Sequence, residues 1–216
     1  MNNKILIVAI STLMILTGCS TKLIDLTENM IDLTENKLKV VNREIASTDA
    51  SSNAISINAK EGVGLAYIED AELRFGTFEI DIKGENNPGR SFVGVAFNIQ
   101  NDTTYEAIYF RPFNFQSEEK IRREHSVQYI SVPKYDWRIL RTNHEGQFEA
   151  EYDRQPSPDD WFTVKIKVEE KRVVVYDRET DQELLSVKRL QQPISNRIAL
   201  WAGNGSKGSF RNLKIK

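Results

Sequence analysis

Two segments with strict alternation decide the fold: FEIDIK at residues 78–83 and WFTVKIKV at residues 161–168. From Phe78 and from Phe162 onward, apolar side chains occupy every second position, and polar or charged side chains occupy the positions between them. A period of two is typical of a β-strand that buries one face and leaves the other in water. Both segments are therefore predicted to be strands of a sheet that covers a core.

Turn signals separate further strand-like segments along the rest of the chain. Runs rich in Gly, Asn and Pro occur at residues 84–90, 101–102, 155–160 and 203–208, and no long stretch has a helical period. Many short strands joined by such turns predict an all-β fold, a two-sheet antiparallel β-sandwich or jelly roll. The chain has 216 residues, of which 40% are hydrophobic, which suffices for a substantial core.

Charge and cysteine content exclude two classes of protein. The formal net charge is -2, with no basic excess of the kind that nucleic-acid binding requires, so we expect no nucleic-acid partner. Cys19 is the single cysteine, so the fold contains no intramolecular disulfide and packing must hold it together.

The first 19 residues have the pattern of a secretory leader. Lys4 precedes an apolar run at residues 5–16, which is too short for a membrane span, and the segment ends in Leu-Thr-Gly-Cys at residues 16–19. This ending resembles the lipobox of bacterial lipoproteins, which implies cleavage before Cys19 and acylation of that cysteine. The resemblance predicts a lipid-anchored protein of the bacterial cell envelope that faces out of the cytoplasm. Ser20, in place of an inner-membrane retention aspartate, favours the outer membrane in a Gram-negative cell.

A short repeat follows the leader. The heptad LIDLTEN at residues 23–29 is followed by MIDLTEN at residues 30–36. Two heptads are too few to indicate a coiled coil, so this segment is interpreted as a tether. We therefore expect a signal peptide and lipobox at residues 1–19, a tether at 20–36 and one sandwich domain at 37–216.

The order of several sequence blocks resembles a known superfamily. These blocks are GLAYIEDAELRFGTFEIDIKG, YEAIYFRPFNF, HSVQYIS, DDWFTVKIKVEEKRVVVYD and IALWAGNGSKGSFRNLKI, within residues 31–215. They are similar to the concanavalin A-like lectins and glucanases, which include laminin-G-like domains and laminarinase-type hydrolases. The resemblance implies two curved sheets with a concave face that commonly holds a glycan. It does not by itself imply catalysis.

Residues 105–131 and the segment that follows them combine aromatic, arginine and histidine side chains. If Ile108 and Phe110 face the core, alternation places their neighbours toward a groove. Alternation predicts Tyr109, Arg111 and Phe113 as ligand-binding residues, and His125, Gln128, Tyr129, Trp137 and Arg141 are added to this prediction as further polar and aromatic side chains of the same block.

The chemistry of this set suits a sugar. Arg111 could bridge hydroxyls or hold a carboxylate such as that of a uronic acid, and Tyr109 and Trp137 could pack against a pyranose ring. The alternative is that the aromatics belong to the core and the arginines form surface ion pairs. Trp161 and Trp201 are interpreted as packing residues.

Catalytic and metal sites have weaker support. Glu79 and Asp81 alternate as in the laminarinase-type motif, but Lys83 or Gly84 stands where the third carboxylate is required, so we expect a solvated strand face. His125 and His144 are the only histidines, which excludes a histidine-rich or thiolate zinc site. We expect no cofactor, although calcium remains possible without assignable ligands.

Three functions are compatible with these patterns. The leading hypothesis is a membrane-anchored, monomeric lipoprotein that binds a glycan or a glycosylated surface. The alternatives are a divergent glycoside hydrolase acting on a polysaccharide or keto-disaccharide, and a structural or protein-binding envelope domain.

Overall fold

The computed structural model describes residues 29–49 and 51–216, which form two antiparallel sheets. The strands are β1 (Asn29–Met30), β2 (Leu38–Val41), β3 (Ile45–Asp49), β4 (Ala54–Ile57), β5 (Gly64–Glu72), β6 (Gly76–Lys83), β7 (Val93–Asn101), β8 (Thr104–Phe110), β9 (Val127–Val132), β10 (Glu149–Ala150), β11 (Phe162–Val168), β12 (Arg172–Asp177), β13 (Glu183–Lys188), β14 (Arg197–Ala202) and β15 (Gly208–Ile215). Two short helices, α1 (Lys120–Arg123) and α2 (Trp137–Asn143), and 3₁₀ turns at Glu35–Lys37 and Pro112–Asn114 complete the described elements. The predicted all-β sandwich is confirmed.

Strands distant in sequence are neighbours in both sheets. The eight-stranded sheet has the order β13-β12-β11-β6-β15-β4-β3, with β1 also paired to β15, and the seven-stranded sheet has the order β10-β9-β8-β7-β14-β5-β2. The two segments that decide the fold pair directly, since Phe162 lies opposite Ile82 and Ile166 lies opposite Phe78. Their shared period of two therefore builds one continuous apolar face.

The core lies between the inner faces of the sheets. Phe78, Ile80 and Ile82 of β6 are buried, as are Ile108 and Phe110 of β8 in the facing sheet. The period-two prediction is thus correct for both sheets. As a consequence, Tyr105, Ala107 and Tyr109, the alternate residues of β8, lie on the outer face of the seven-stranded sheet.

A buried ion pair also crosses this core. Glu106, on the inner face of β8, accepts hydrogen bonds from Arg189 Nε at 3.1 Å, Tyr129 Oη at 2.6 Å and Asn98 Nδ2 at 2.7 Å. Arg189 Nη2 also donates to it, and Arg189 Nη1 donates to the carbonyl of Glu169 at 3.0 Å. Since Arg189 follows β13, this network links the two sheets.

The described part of the predicted tether packs onto the sandwich. β1 pairs with the end of β15, and the amide of Ile31 donates to the carbonyl of Leu213 at 2.8 Å. Leu33 is 1% exposed within the core. The packed domain therefore begins before residue 37, in contrast to the expected boundary.

Several predictions fall on residues outside this description. The leader, the lipobox with Cys19 and the first heptad up to residue 28 lie there. Within residues 29–49 and 51–216, no helix combines the length and apolar character needed to cross a membrane.

Candidate functional site

The outer face of the seven-stranded sheet has a floor of small and aromatic side chains. Gly94 of the central strand β7 lies opposite Tyr109 on one neighbouring strand and opposite Trp201 on the other. Because Gly94 has no side chain, the two rings meet across it and stack with centroids 4.8 Å apart. Ala96, the next residue of β7 on this face, lies opposite Ala107 and Ala199, which keeps the floor low.

An aromatic row continues from this stack toward the start of β7. Phe92 lies edge-on to Tyr109, with ring centroids 6.1 Å apart, and edge-on to Phe113 at 5.7 Å. The indole N–H of Trp201 donates to Tyr105 Oη at 3.1 Å. Tyr109 and Trp201 are 2% and 4% exposed, so they form the base of the site and not an open platform.

Helix α2 places Trp137 above this floor. The side chain of Asp136 accepts a hydrogen bond from the amide of Ile139 at 2.8 Å, an N-cap that starts the helix immediately before Trp137. Leu140 is buried on the inner side of the helix, whereas Trp137 is 40% exposed. Its indole is therefore the open aromatic surface of the site.

These elements enclose a groove of about 590 Å³. Five of the eight predicted residues line it, namely Arg111, Phe113, His125, Trp137 and Arg141. A smaller cleft of about 260 Å³ adjoins it, with Tyr109 and Trp201 in its lining. Phe92, Trp137 and Asn204 line both spaces, so the groove and the cleft form one continuous depression.

Arg111 is held rigidly in the groove. It follows β8, and its guanidinium donates to the carbonyl of His125 at 2.6 Å, to Tyr109 Oη at 2.7 Å and to Gln128 Oε1 at 3.1 Å. The ring of Tyr109 lies 4.9 Å from the guanidinium carbon. Burial lowers the pKa of Arg111 from its ordinary value, and the side chain nevertheless stays charged.

A carboxylate lies behind the groove. Glu149 of β10 is 6% exposed, and its Oε2 is 2.6 Å from Arg141 Nη2 and 3.0 Å from His125 Nδ1. The His125 contact lacks hydrogen-bond geometry, so Nδ1 is a buried nitrogen without a partner. Burial lowers the pKa of His125, and the charges of Arg141 and Arg111 lower it further, while Glu149 opposes them.

The remaining two predicted residues do not reach the groove. Gln128 lies on the outer face of β9 but is 1% exposed, and its amide donates to the carbonyls of Tyr129 and Phe148, each at 3.0 Å. Gln128 accepts a hydrogen bond from Arg111 and thereby helps to hold that side chain in place. Tyr129 lies on the inner face, fully buried, with its hydroxyl on Glu106. It belongs to the core network and offers no surface to a ligand.

Glu79 and Asp81 lie on the outer face of the other sheet. Glu79 is 3.0 Å from Arg178 Nε, and Asp81 accepts from Arg211 Nε at 2.9 Å and Thr163 Oγ1 at 2.7 Å. Glu79 is half-buried and Asp81 is buried, so this face is more enclosed than the expected solvated surface. No cluster of three or more His, Cys, Asp or Glu side chains suited to a metal ion occurs in the described residues.

Sequence reasoning missed four contributors to the site: Phe92, Arg122, Arg138 and Glu149. The first three line the groove and the fourth supports Arg141. A signal for Phe92 exists in FVGVAF, where Gly94 and Ala96 alternate with valines and mark a face with room above it. Glu149 has no such signal, because its role depends on the pairing of β10 with β9.

The sandwich is similar in fold to several solved structures. The carbohydrate-binding module CBM66 from Bacillus subtilis superposes with a TM-score of 0.56 and 15% identity, covering 87% of this chain and 98% of that one. The exoplasmic/lumenal domain of VIP36, in a Ca²⁺/Man3GlcNAc-bound form, gives 0.52 and 10% identity over 88% and 87%. A β-1,3-1,4-glucanase (lichenase) from a mouse hindgut metagenome gives 0.53 and 11% identity over 88% and 98%.

These likenesses concern the fold alone, because the identities are low. No protein-family model matches the sequence, and no curated protein matches it. The neighbours include a carbohydrate-binding module and a glucanase on one architecture, so the fold does not assign a function to this chain.

Proposed function

We propose that the protein binds carbohydrate in the groove on the outer face of the seven-stranded sheet. The observation that carries this proposal is the convergence of Arg111, Phe113, His125, Trp137 and Arg141 around one depression. An exposed indole offers a flat apolar surface for a sugar ring, and fixed arginine N–H groups offer donors for its oxygens. The carbohydrate-binding module CBM66 and the Man3GlcNAc-bound VIP36 domain among the structural neighbours support the same assignment.

The number and position of the carboxylates at the groove favour a binding function over glycoside hydrolysis. Most glycoside hydrolases use two carboxyl groups across the scissile bond. Among the described residues that line the groove and the adjoining cleft, Asp136 is the one carboxylate. Its Oδ1 caps helix α2. Glu149 is buried behind Arg141 and lines neither space, so the two-carboxylate arrangement has no support here.

A glycan-array screen with matched variants tests the proposal. Trp137→Ala removes the exposed ring, and Ile139→Ala is the control, because both side chains are 40% exposed on the same helix and Ile139 lies outside the groove lining. We expect Trp137→Ala to weaken binding at least tenfold, about 1.4 kcal/mol, and Ile139→Ala to leave it unchanged. An array on which the folded protein binds no glycan would refute the proposal and favour the structural or protein-binding alternative.

We also propose that Cys19 carries the lipid anchor predicted from the lipobox pattern, with the domain exposed at the bacterial envelope. The Leu-Thr-Gly-Cys ending and the short apolar run before it support this placement. When cells are fractionated, the Cys19→Ser variant should be found outside the membrane fraction, whereas the Ser20→Ala variant should remain in the membrane fraction. Mass spectrometry of the amino-terminal peptide should detect acyl chains, and an unmodified Cys19 in the mature protein would contradict this proposal.

A further inference from the structure

The groove is basic, although the chain as a whole is slightly acidic. Four arginines line it, Arg111, Arg122, Arg138 and Arg141, and no carboxylate of the described residues does so. Arg122 pairs with Glu119 at 3.1 Å at the exposed surface, and Arg141 pairs with Glu149 behind the groove. Arg111 and Arg138 have no ion-pair partner in the described residues.

Arg111 has no carboxylate partner although its side chain is 5% exposed. Buried arginines generally have a carboxylate partner, as Arg189 has in Glu106. The three hydrogen bonds of Arg111 go to neutral oxygens and use three of the five N–H groups of a guanidinium. The rest of the guanidinium is available to a group that enters the groove.

Arg43 is the other buried arginine of the described residues that lacks a carboxylate partner. Its side chain is also 5% exposed, and its two terminal nitrogens donate to four backbone carbonyls, those of Asn42, Gly62, Ala202 and Gly203, whereas its Nε has no partner. These carbonyls join three loops around the guanidinium. Arg111 instead donates to one backbone carbonyl and two side-chain oxygens, and it borders an open depression.

Aromatic surface surrounds this charge. Phe92, Phe113 and Trp137 line the groove beside Arg111, and the guanidinium carbons of Arg138 and Arg141 each lie 5.2 Å from the Trp137 ring centroid. A sugar ring stacked on Trp137 would therefore have positive charge beside it. An anionic substituent on that ring gains from this field, whereas a neutral sugar gains only hydrogen bonds.

We propose that the ligand of the groove is an acidic glycan, one whose sugars carry carboxylates or sulfate esters. The anionic group contacts Arg111, Arg138 and Arg141 lie beside it, and the ring packs on Trp137. This inference rests on the proposed carbohydrate-binding function and specifies its ligand class. Uronate and sulfate present the same chemistry, an oxyanion on a sugar ring, and different probes distinguish them.

Calorimetry with pairs of oligosaccharides that differ only in charge tests the ligand class. Tetragalacturonate is compared with its methyl ester, and a κ-carrageenan tetrasaccharide is compared with its desulfated form. We expect at least one acidic member to bind tenfold or more tightly than its neutral counterpart, with the difference shrinking at high salt. The pair that shows the difference identifies carboxylate or sulfate.

The outcomes separate this inference from the function on which it rests. Equal binding of the acidic and neutral members overturns the acidic preference but leaves carbohydrate binding in place. Absence of binding by both acidic members also overturns the preference, and the glycan array then tests carbohydrate binding independently. A polyglutamate peptide that binds as tightly as the best sugar overturns the inference as well, because the groove would then recognise charge without a sugar.

Substitutions of single arginines test which side chains cause the preference for acidic sugars. Arg138→Gln should lower affinity for the acidic member about threefold and leave the neutral member unchanged. Arg74→Gln is the matched control, since Arg74 is also exposed and lies 5.8 Å from the exposed ring of Phe75, outside the groove. Arg111→Gln should abolish the preference, with its urea midpoint confirming that it folds. An equal loss for both sugars in Arg138→Gln would overturn the inference.

Discussion

Glu106→Gln should strongly destabilise the sandwich, because four donor groups converge on this buried carboxylate. Arg189 contributes two of them, and Tyr129 and Asn98 contribute one each. An ionised carboxylate accepts on both oxygens, whereas an amide has one acceptor oxygen and two N–H donors. The substitution therefore leaves donors without acceptors and the charge of Arg189, which is 2% exposed, without a partner.

The magnitude follows from this burial. Breaking a buried ion pair from one side costs about 3–5 kcal/mol, and for a chain of this size the melting temperature should fall by roughly 10 °C. Urea denaturation of the wild type, Glu106→Gln, Arg189→Met and the double variant gives the coupling energy between the two side chains. We expect the double variant to lose at least about 2 kcal/mol less than the sum of the single losses.

Two results would refute this reasoning. One is a loss below about 1 kcal/mol for Glu106→Gln, which would mean that the amide satisfies the same donors. The other is additivity of the two single losses within about 0.5 kcal/mol, which would mean that Glu106 and Arg189 contribute independently and do not join the sheets as a pair.

Two further predictions concern the floor and the edge of the groove. Gly94→Ala should destabilise the protein by about 1–3 kcal/mol or more, because the new methyl would lie 2.1 Å from a backbone oxygen of β8. Gly89→Ala is the comparison: no atom lies within 4 Å of the new methyl, so the substitution should cost about 1 kcal/mol through the positive φ of 76° alone. Equal losses of stability for the two variants in urea denaturation would contradict this account. Burial lowers the pKa of His125, so the unfolded chain takes up a proton first as pH falls below about 6.5, and stability should decrease there by at most about 1.4 kcal/mol per pH unit. His125→Gln should flatten that decrease in urea titrations between pH 7 and 5.5, and parallel curves for the two proteins would count against the burial of His125.

Carbohydrate binding and acidic preference make different demands on the same groove. In the proposed binding mode, the exposed indole of Trp137 would stack on any pyranose, whereas the arginines beside it would discriminate between sugars by charge. Stacking of a sugar on Trp137 depends on α2 and its Asp136 cap, and discrimination by charge depends on the burial of Arg111. Substitutions at Trp137 and Arg138 should therefore separate affinity from selectivity.

Local alternation was enough to predict the sandwich and the orientation of its clearest strands. FEIDIK and WFTVKIKV each have one apolar and one polar face, so burial of Phe78 and Phe162 followed without knowledge of their partners. The same argument correctly directed Phe110 inward and Tyr109 outward. It did not support the prediction at β9, where Gln128 and Tyr129 were both chosen for their polar groups although they are neighbours in the strand. Tyr129 points inward and Gln128 outward, and the strand is buried on both faces, so its sequence has no polar face that marks the orientation.

The sequence by itself thus determined the fold class and the presence of an aromatic and arginine-rich block, because alternation and composition are properties of neighbouring residues. Only the tertiary structure decided which of those residues form a site. Trp201 reaches Tyr109 across Gly94, Phe92 joins them from the start of another strand, and Glu149 approaches Arg141 through the pairing of β10 with β9. These contacts depend on strand order and register, which are set by long-range packing that no local pattern encodes.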